Sequence, residues 1–72
     1  MADLPPLRAR DVRKVLIKHG FRERLTKSSH RVYDHPDGRR TVLTFHPKPL
    51  TKGVLRSVLK QTNLTIRDLT NR

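Results

Sequence analysis

Cysteine and tryptophan are absent from this chain, and glycine, tyrosine and phenylalanine together supply only six of its 72 residues. No disulfide can staple the fold, and four scattered histidines without a cysteine partner give no evident structural zinc site. Acidic residues are scarce as well. Asp3, Asp11, Glu23, Asp34, Asp37 and Asp68 form no paired-carboxylate pattern, and no His-x-x-x-His spacing occurs, so metal-centred hydrolysis finds no ligand set. Gly20, Gly38 and Gly53 stand alone, which excludes a glycine-rich phosphate loop. No cofactor is therefore expected. There is no apolar run long enough to span a bilayer, so a membrane partner is not expected either. The segment Met1 to Arg10, with Asp3 and the pair Pro5-Pro6, lacks the hydrophobic region of a secretory signal. These absences, with the lack of cysteine, lead us to expect a cytoplasmic protein.

Positive charge is what the chain has in excess. Seventeen Lys and Arg against six acids give a net charge of +11, which repels itself unless a polyanion answers it. Nucleic acid is the first candidate, because neutralising phosphates releases condensed counterions and supplies affinity without sequence reading. A membrane surface fits less well, since the basic residues run through the whole chain and do not line one face of a single amphipathic helix. The bland alternative is a basic surface that serves only solubility.

So short a chain forms one domain with a thin core. Residues 1–6 read as a flexible N-terminus and 7–72 as a single compact unit. From Leu7 to His19 the apolar residues Val12, Val15 and Leu16 recur at helical spacing, and Gly20 supplies a stop onto which Phe21 can fold back. Phe21 to Leu25 is a short strand. His30 to Asp34 and Thr41 to His46 form a hairpin about the loop Pro36-Asp37-Gly38, with His35 facing Arg39 and His30 opposite Thr44. This register places Tyr33, Leu43 and Phe45 on the core face and His30, Val32, Val42, Thr44 and His46 on the other. His46-Pro47-Lys48-Pro49 is a connection. Thr51 caps a second helix whose stripe is Val54, Leu55, Val58 and Leu59, with Lys52, Arg56 and Lys60 pointing elsewhere. Asn63 stops it, and Thr65 with Asp68 has the spacing of a capping box for a last short helix stapled by Leu64 and Leu69. The class is α+β, with helices on one face of a three-stranded antiparallel sheet.

Among residues that carry chemistry, Ser28-Ser29-His30 stands out because Lys27 and Arg31 flank it. Imidazole is the side chain that exchanges protons near neutrality, so a histidine here can act on a ribose hydroxyl or a leaving oxygen while Lys27 and Arg31 hold the phosphate. An ordinary exposed strand histidine explains the same spacing. His46 is the second candidate, on the same face as His30. His19 is assigned to the dipole at a helix C-terminus, and His35 to the turn. Phe21, Tyr33 and Phe45 are needed for the core, so recognition of backbone and shape is expected in preference to base stacking.

The order Gly20-Phe21, Ser29-His30, His35-Pro36-Asp37-Gly38-Arg39-Arg40, His46, then Lys52-Gly53-Val54-Leu55-Arg56-Ser57-Val58-Leu59-Lys60-Gln61 resembles the HicA (YcfA-like) family of bacterial mRNA-interferase toxins. The resemblance covers nearly the whole chain after its first residues. It implies a fold similar to the double-stranded-RNA-binding domain, metal-independent cleavage of mRNA or other RNA, and neutralisation by an acidic HicB-like antitoxin in a type II toxin-antitoxin system. It also implies a catalytic role for His30, with His46 the second candidate. Lys27, Ser29, Arg31, Arg39 and Arg40 are the expected RNA contacts. The competing readings are a non-catalytic basic module that binds double-stranded RNA, and a basic subunit whose main partner is an acidic protein.

Overall fold

A computed structural model describes residues 6–70, so most of the expected flexible N-terminus, residues 1–5, lies outside the described residues. The elements run α1 (Ala9–Lys18), β1 (Arg22–Leu25), β2 (His30–Asp34), β3 (Arg40–Thr44), α2 (Lys52–Thr62) and α3 (Ile66–Thr70). The three strands form one antiparallel sheet in the order β1-β2-β3. This is the α+β arrangement expected from the sequence.

Local chemistry sets the boundaries. Asp11 in the first turn of α1 accepts the Arg8 backbone N–H at 3.0 Å, which satisfies a donor that the helix start leaves free. At the other end Gly20 takes a φ of 91°, the Phe21 N–H bonds Leu16 O at 2.9 Å, and the Gly20 N–H bonds Ile17 O at 3.1 Å. This pair of bonds closes the helix through a left-handed residue and turns Phe21 into the core. In the hairpin the His35 N–H bonds Arg39 O at 2.8 Å, the Gly38 N–H bonds His35 O at 2.9 Å, and Gly38 has a φ of 101°. The loop is thus the three residues expected, and His30 pairs with Thr44. Thr51 Oγ1 accepts the Val54 N–H at the start of α2, and Asn63 ends that helix with a φ of 58°. Thr65 and Asp68 form the reciprocal capping bonds of α3. Leu64 packs against the core, to which fully buried Leu69 belongs.

Tyr33 and Leu43 on the sheet, Val12 and Leu16 on α1, and Leu55 and Val58 on α2 bury the largest side chains. Removal of this apolar area from water is what holds so small a domain together. Some details depart from the sequence pattern. Phe21 is buried but precedes β1, and α1 begins at Ala9 because Arg8 is extended and the Leu7 carbonyl accepts the Leu50 N–H at 2.8 Å. β3 ends at Thr44, although the Phe45 N–H still bonds Ser29 O at 2.9 Å. Pro47, which lacks an amide hydrogen, prevents the ladder from going further. Val54 is not part of the buried stripe of α2. It is 40% exposed, and Thr62 takes its place inside, its hydroxyl donating to Val58 O at 2.7 Å.

Candidate functional site

His30 opens β2, where the chain leaves the β1–β2 loop, and a set of short hydroxyl side chains fixes it there. Ser28 Oγ lies 3.0 Å from His30 Nδ1 and also accepts the His30 backbone N–H at 3.2 Å. Thr26 Oγ1 lies 3.2 Å from Ser28 Oγ and donates to the His30 carbonyl. One direction of donation uses every contact: His30 Nδ1–H to Ser28 Oγ, Ser28 Oγ–H to Thr26 Oγ1, and Thr26 Oγ1–H to His30 O. In that arrangement the lone pair is on Nε2, and His30 is exposed. Serine and threonine at such spacings routinely bond nearby backbone, so the signal for Thr26 and Ser28 as holders of His30 is their hydroxyls four and two residues before it.

The outer face of the sheet carries His30 at one end. Asp34 and Arg40 lie toward the other, about 13 Å away at the usual rise of a strand, and Arg24, opposite Val32, stands about halfway between. Asp34 accepts Arg24 Nε at 2.7 Å and Arg40 Nε at 2.5 Å, and these guanidiniums hold its carboxyl below the usual range. The trio keeps one net positive charge. Lys27 and Ser29 sit in the exposed loop beside His30. His46, also exposed, lies between two clefts. One, of about 300 Å³, is lined by Arg8, Arg10, Phe45 and Pro47; the other lies between β3 and α2. The Leu7–Leu50 backbone bond brings the start of α1 toward the loop that carries His46, which no local pattern announces.

Two of the expected RNA contacts are engaged elsewhere. Arg31 is on the inner face, its guanidinium 4.2 Å from the centre of the Phe45 ring and 3.4 Å from Glu23. Glu23 also accepts Arg13 Nε at 2.8 Å and the Tyr33 hydroxyl at 2.6 Å. These bonds, Arg13 first, hold the Glu23 carboxyl down to about 2, while burial and the adjacent carboxylate push the Tyr33 phenol up. Arg39 Nε donates to Asp37 at 2.7 Å, its other end donates to Thr62 O, and its guanidinium lies 5.1 Å from the centre of the Phe21 ring. It ties the hairpin loop to the end of α2. The structure therefore gathers Lys27, Ser29, His30 and His46 at one end of the sheet and Arg40 on the same face, but places Arg31 and Arg39 in supporting networks. Among the described residues no cluster of three or more His, Cys, Asp or Glu side chains is arranged to hold a metal ion, and no helix is long and apolar enough to cross a membrane.

The profile of a family described as HicA toxin of bacterial toxin-antitoxin systems matches residues 9–64. That span includes the whole sheet, α1, α2 and both candidate histidines. No curated protein matches the chain.

Proposed function

Because the chain belongs to the HicA toxin family of bacterial toxin-antitoxin systems, we propose that it is a metal-independent endoribonuclease, an mRNA interferase of the cytoplasm, in which His30 transfers the proton. The observation that carries this reading is the exposed His30 ring held at Nδ1 by Ser28 Oγ at 3.0 Å. His30 Nε2 takes the proton of a ribose 2′-hydroxyl as its oxygen attacks the neighbouring phosphorus. The bond to the 5′-oxygen breaks, leaving a 2′,3′-cyclic phosphate on one product, and a proton from a second acid completes the 5′-hydroxyl of the other. His46 is our candidate for that acid. The Nδ1–H to Ser28 bond is kept throughout, so the imidazolium formed on His30 stays oriented. Lys27, with the Ser29 loop, faces the phosphate and offsets charge in the transition state. Arg8 and Arg10 line the cleft beside His46 and extend the positive surface, and Arg24 and Arg40 hold RNA backbone farther along the sheet. Arg31 and Arg39 act in this scheme by rigidifying the two ends of the hairpin. An acidic antitoxin of the HicB type shields this face.

The test is cleavage of a mixed-sequence RNA in the presence of chelator, with a DNA copy as control. We expect a cyclic-phosphate product, an intact DNA strand, and a loss of roughly a hundredfold or more in His30→Ala, while RNA affinity and folding persist. A comparable loss in His46→Ala supports shared proton transfer, and a small one confines His46 to binding. Undiminished cleavage by folded His30→Ala protein refutes the assignment, and dependence on added magnesium refutes the mechanism. RNA binding without any cleavage would favour the non-catalytic module.

A further inference from the structure

β3 is an edge strand, and its outward backbone is open. In an antiparallel ladder, pairs that exchange both backbone bonds alternate with pairs that exchange none. The His35–Arg39 and Phe45–Ser29 bonds fix the phase, so Thr41 and Leu43 bond β2 while the N–H and C=O of Val42 and Thr44 point away from the sheet. An edge of this kind is a template for another strand unless something blunts it. Here a cleft of about 500 Å³ runs alongside it, with Val42 and Thr44 on one bank and Gly53, Val54 and Ser57 of α2 on the other. Val42 and Val54 are 44% and 40% exposed. Helical spacing places Arg56 beside Gly53 and Lys60 beside Ser57, three residues further along α2 in each case, so these two cations flank the cleft on its solvent side while Lys52 is turned away. Among the described residues no Asp, Glu, Lys or Arg lines the cleft itself, so its charge comes from the flanking cations.

We propose that this groove docks an extended acidic segment of a partner protein, which adds to β3 as a fourth strand. Apolar side chains at alternate positions enter between Val42 and Val54, and the carboxylates between them meet the flanking cations. The charge balance selects this occupant. A second copy brings another +11 to an already basic surface, and RNA gains nothing from two valines and a row of amides spaced for a strand. The biological occupant rests on the antitoxin partner proposed above, whereas the docking itself does not depend on catalysis. Thr44 is directly across from His30, so at the usual strand spacing the added chain lies about 10 Å from the proposed site and obstructs RNA there.

The probe is a ten-residue peptide of alternating Val and Glu, with a Val-Lys peptide as control, titrated into the isotope-labelled full chain without RNA. We expect saturable binding of the acidic peptide only, and slowed hydrogen exchange at the Val42 and Thr44 amides. Thr44→Pro removes an outward N–H without touching the β2 ladder, and Val54→Glu puts a like charge in the groove. Each should weaken binding roughly tenfold or more. Because Val54 is on an exposed helix face, its variant remains informative if the proline fails to fold. Binding without protection of those two amides, or unchanged affinity in folded Val54→Glu protein, overturns the proposal. So does protection of the same amides by RNA in place of the peptide. His30→Ala leaves peptide binding intact, so failure of the nuclease reading and failure of the docking groove are read separately.

Discussion

Ser28 Oγ accepts the His30 main-chain N–H and lies 3.0 Å from His30 Nδ1, so one hydroxyl fixes both the backbone and the ring of the same residue. Removing it frees the ring without removing the proton carrier. Ser28→Ala should lower kcat about tenfold, the scale of one such hydrogen bond, with KM and melting temperature nearly unchanged. His30→Ala/Ser28→Ala should be no slower than His30→Ala alone, because Ser28 acts only through the imidazole. An additive loss in the double variant would give Ser28 a separate role.

RNA affinity should fall steeply as salt rises. The net charge of +11 gives an electrostatic grip, and each phosphate contact contributes about one unit to the slope of log affinity against log salt. Lys27→Ala should reduce that slope by about one and weaken all sequences alike. Binding measured from low salt to well above physiological salt checks both statements, and a flat response contradicts the RNA reading.

Glu23 links stability to pH. Its carboxyl is held at about 2 in the folded chain by Arg13, Tyr33 and Arg31, against an ordinary value of 4.5. The unfolded chain therefore binds the proton first, and the stabilisation is complete above pH 4.5 and is lost as pH falls from there toward 2. Glu23→Gln should cost about 2 kcal/mol near neutrality, the scale of hydrogen bonds to a charged group. It should also flatten the acid limb of a denaturation series over that window. An acid limb identical to that of the parent would remove Glu23 from the account.

Gly20→Ala should destabilise the fold by about 1–3 kcal/mol. The position has a φ of 91°, and a Cβ there would lie 3.2 Å from His35 Nε2. His35 in turn meets the Phe21 ring edge-on at 5.0 Å between centres. Gly38→Ala has the strained φ but open space around it, so it should cost less. Chemical denaturation of the two variants gives the comparison, and equal losses would show that contact with His35 is immaterial.

The hairpin was legible because its turn is specified by its own residues: Pro36 and Gly38 suit the backbone angles, and the spacing then fixes His30 opposite Thr44. The C-terminal end of α1 and both ends of α2 were legible for the same reason, since Gly20, Thr51 and Asn63 satisfy or close their own local backbone. The expectation for Val54 failed because helical spacing defines a wide apolar arc, and only the position of β3 decides which edge of that arc is covered.

For function, the sequence by itself determined the charge, the absence of a metal-binding pattern, the place of His30 at the head of a strand, and the motif that led to the family. Tertiary structure decided what each arginine does. Arg31, Arg39 and Arg40 are near neighbours of motif residues in the chain, yet alternation sends Arg31 to the inner face with Phe45 and Glu23 and leaves Arg40 outside with Asp34. Arg39 is drawn to the end of α2. Likewise Arg8 and Arg10 come to line a cleft with His46, and α2 forms a groove with the β3 edge, because of contacts between residues far apart in sequence. A local pattern specifies backbone angles and faces. Which faces meet is set by the burial of the whole apolar surface at once.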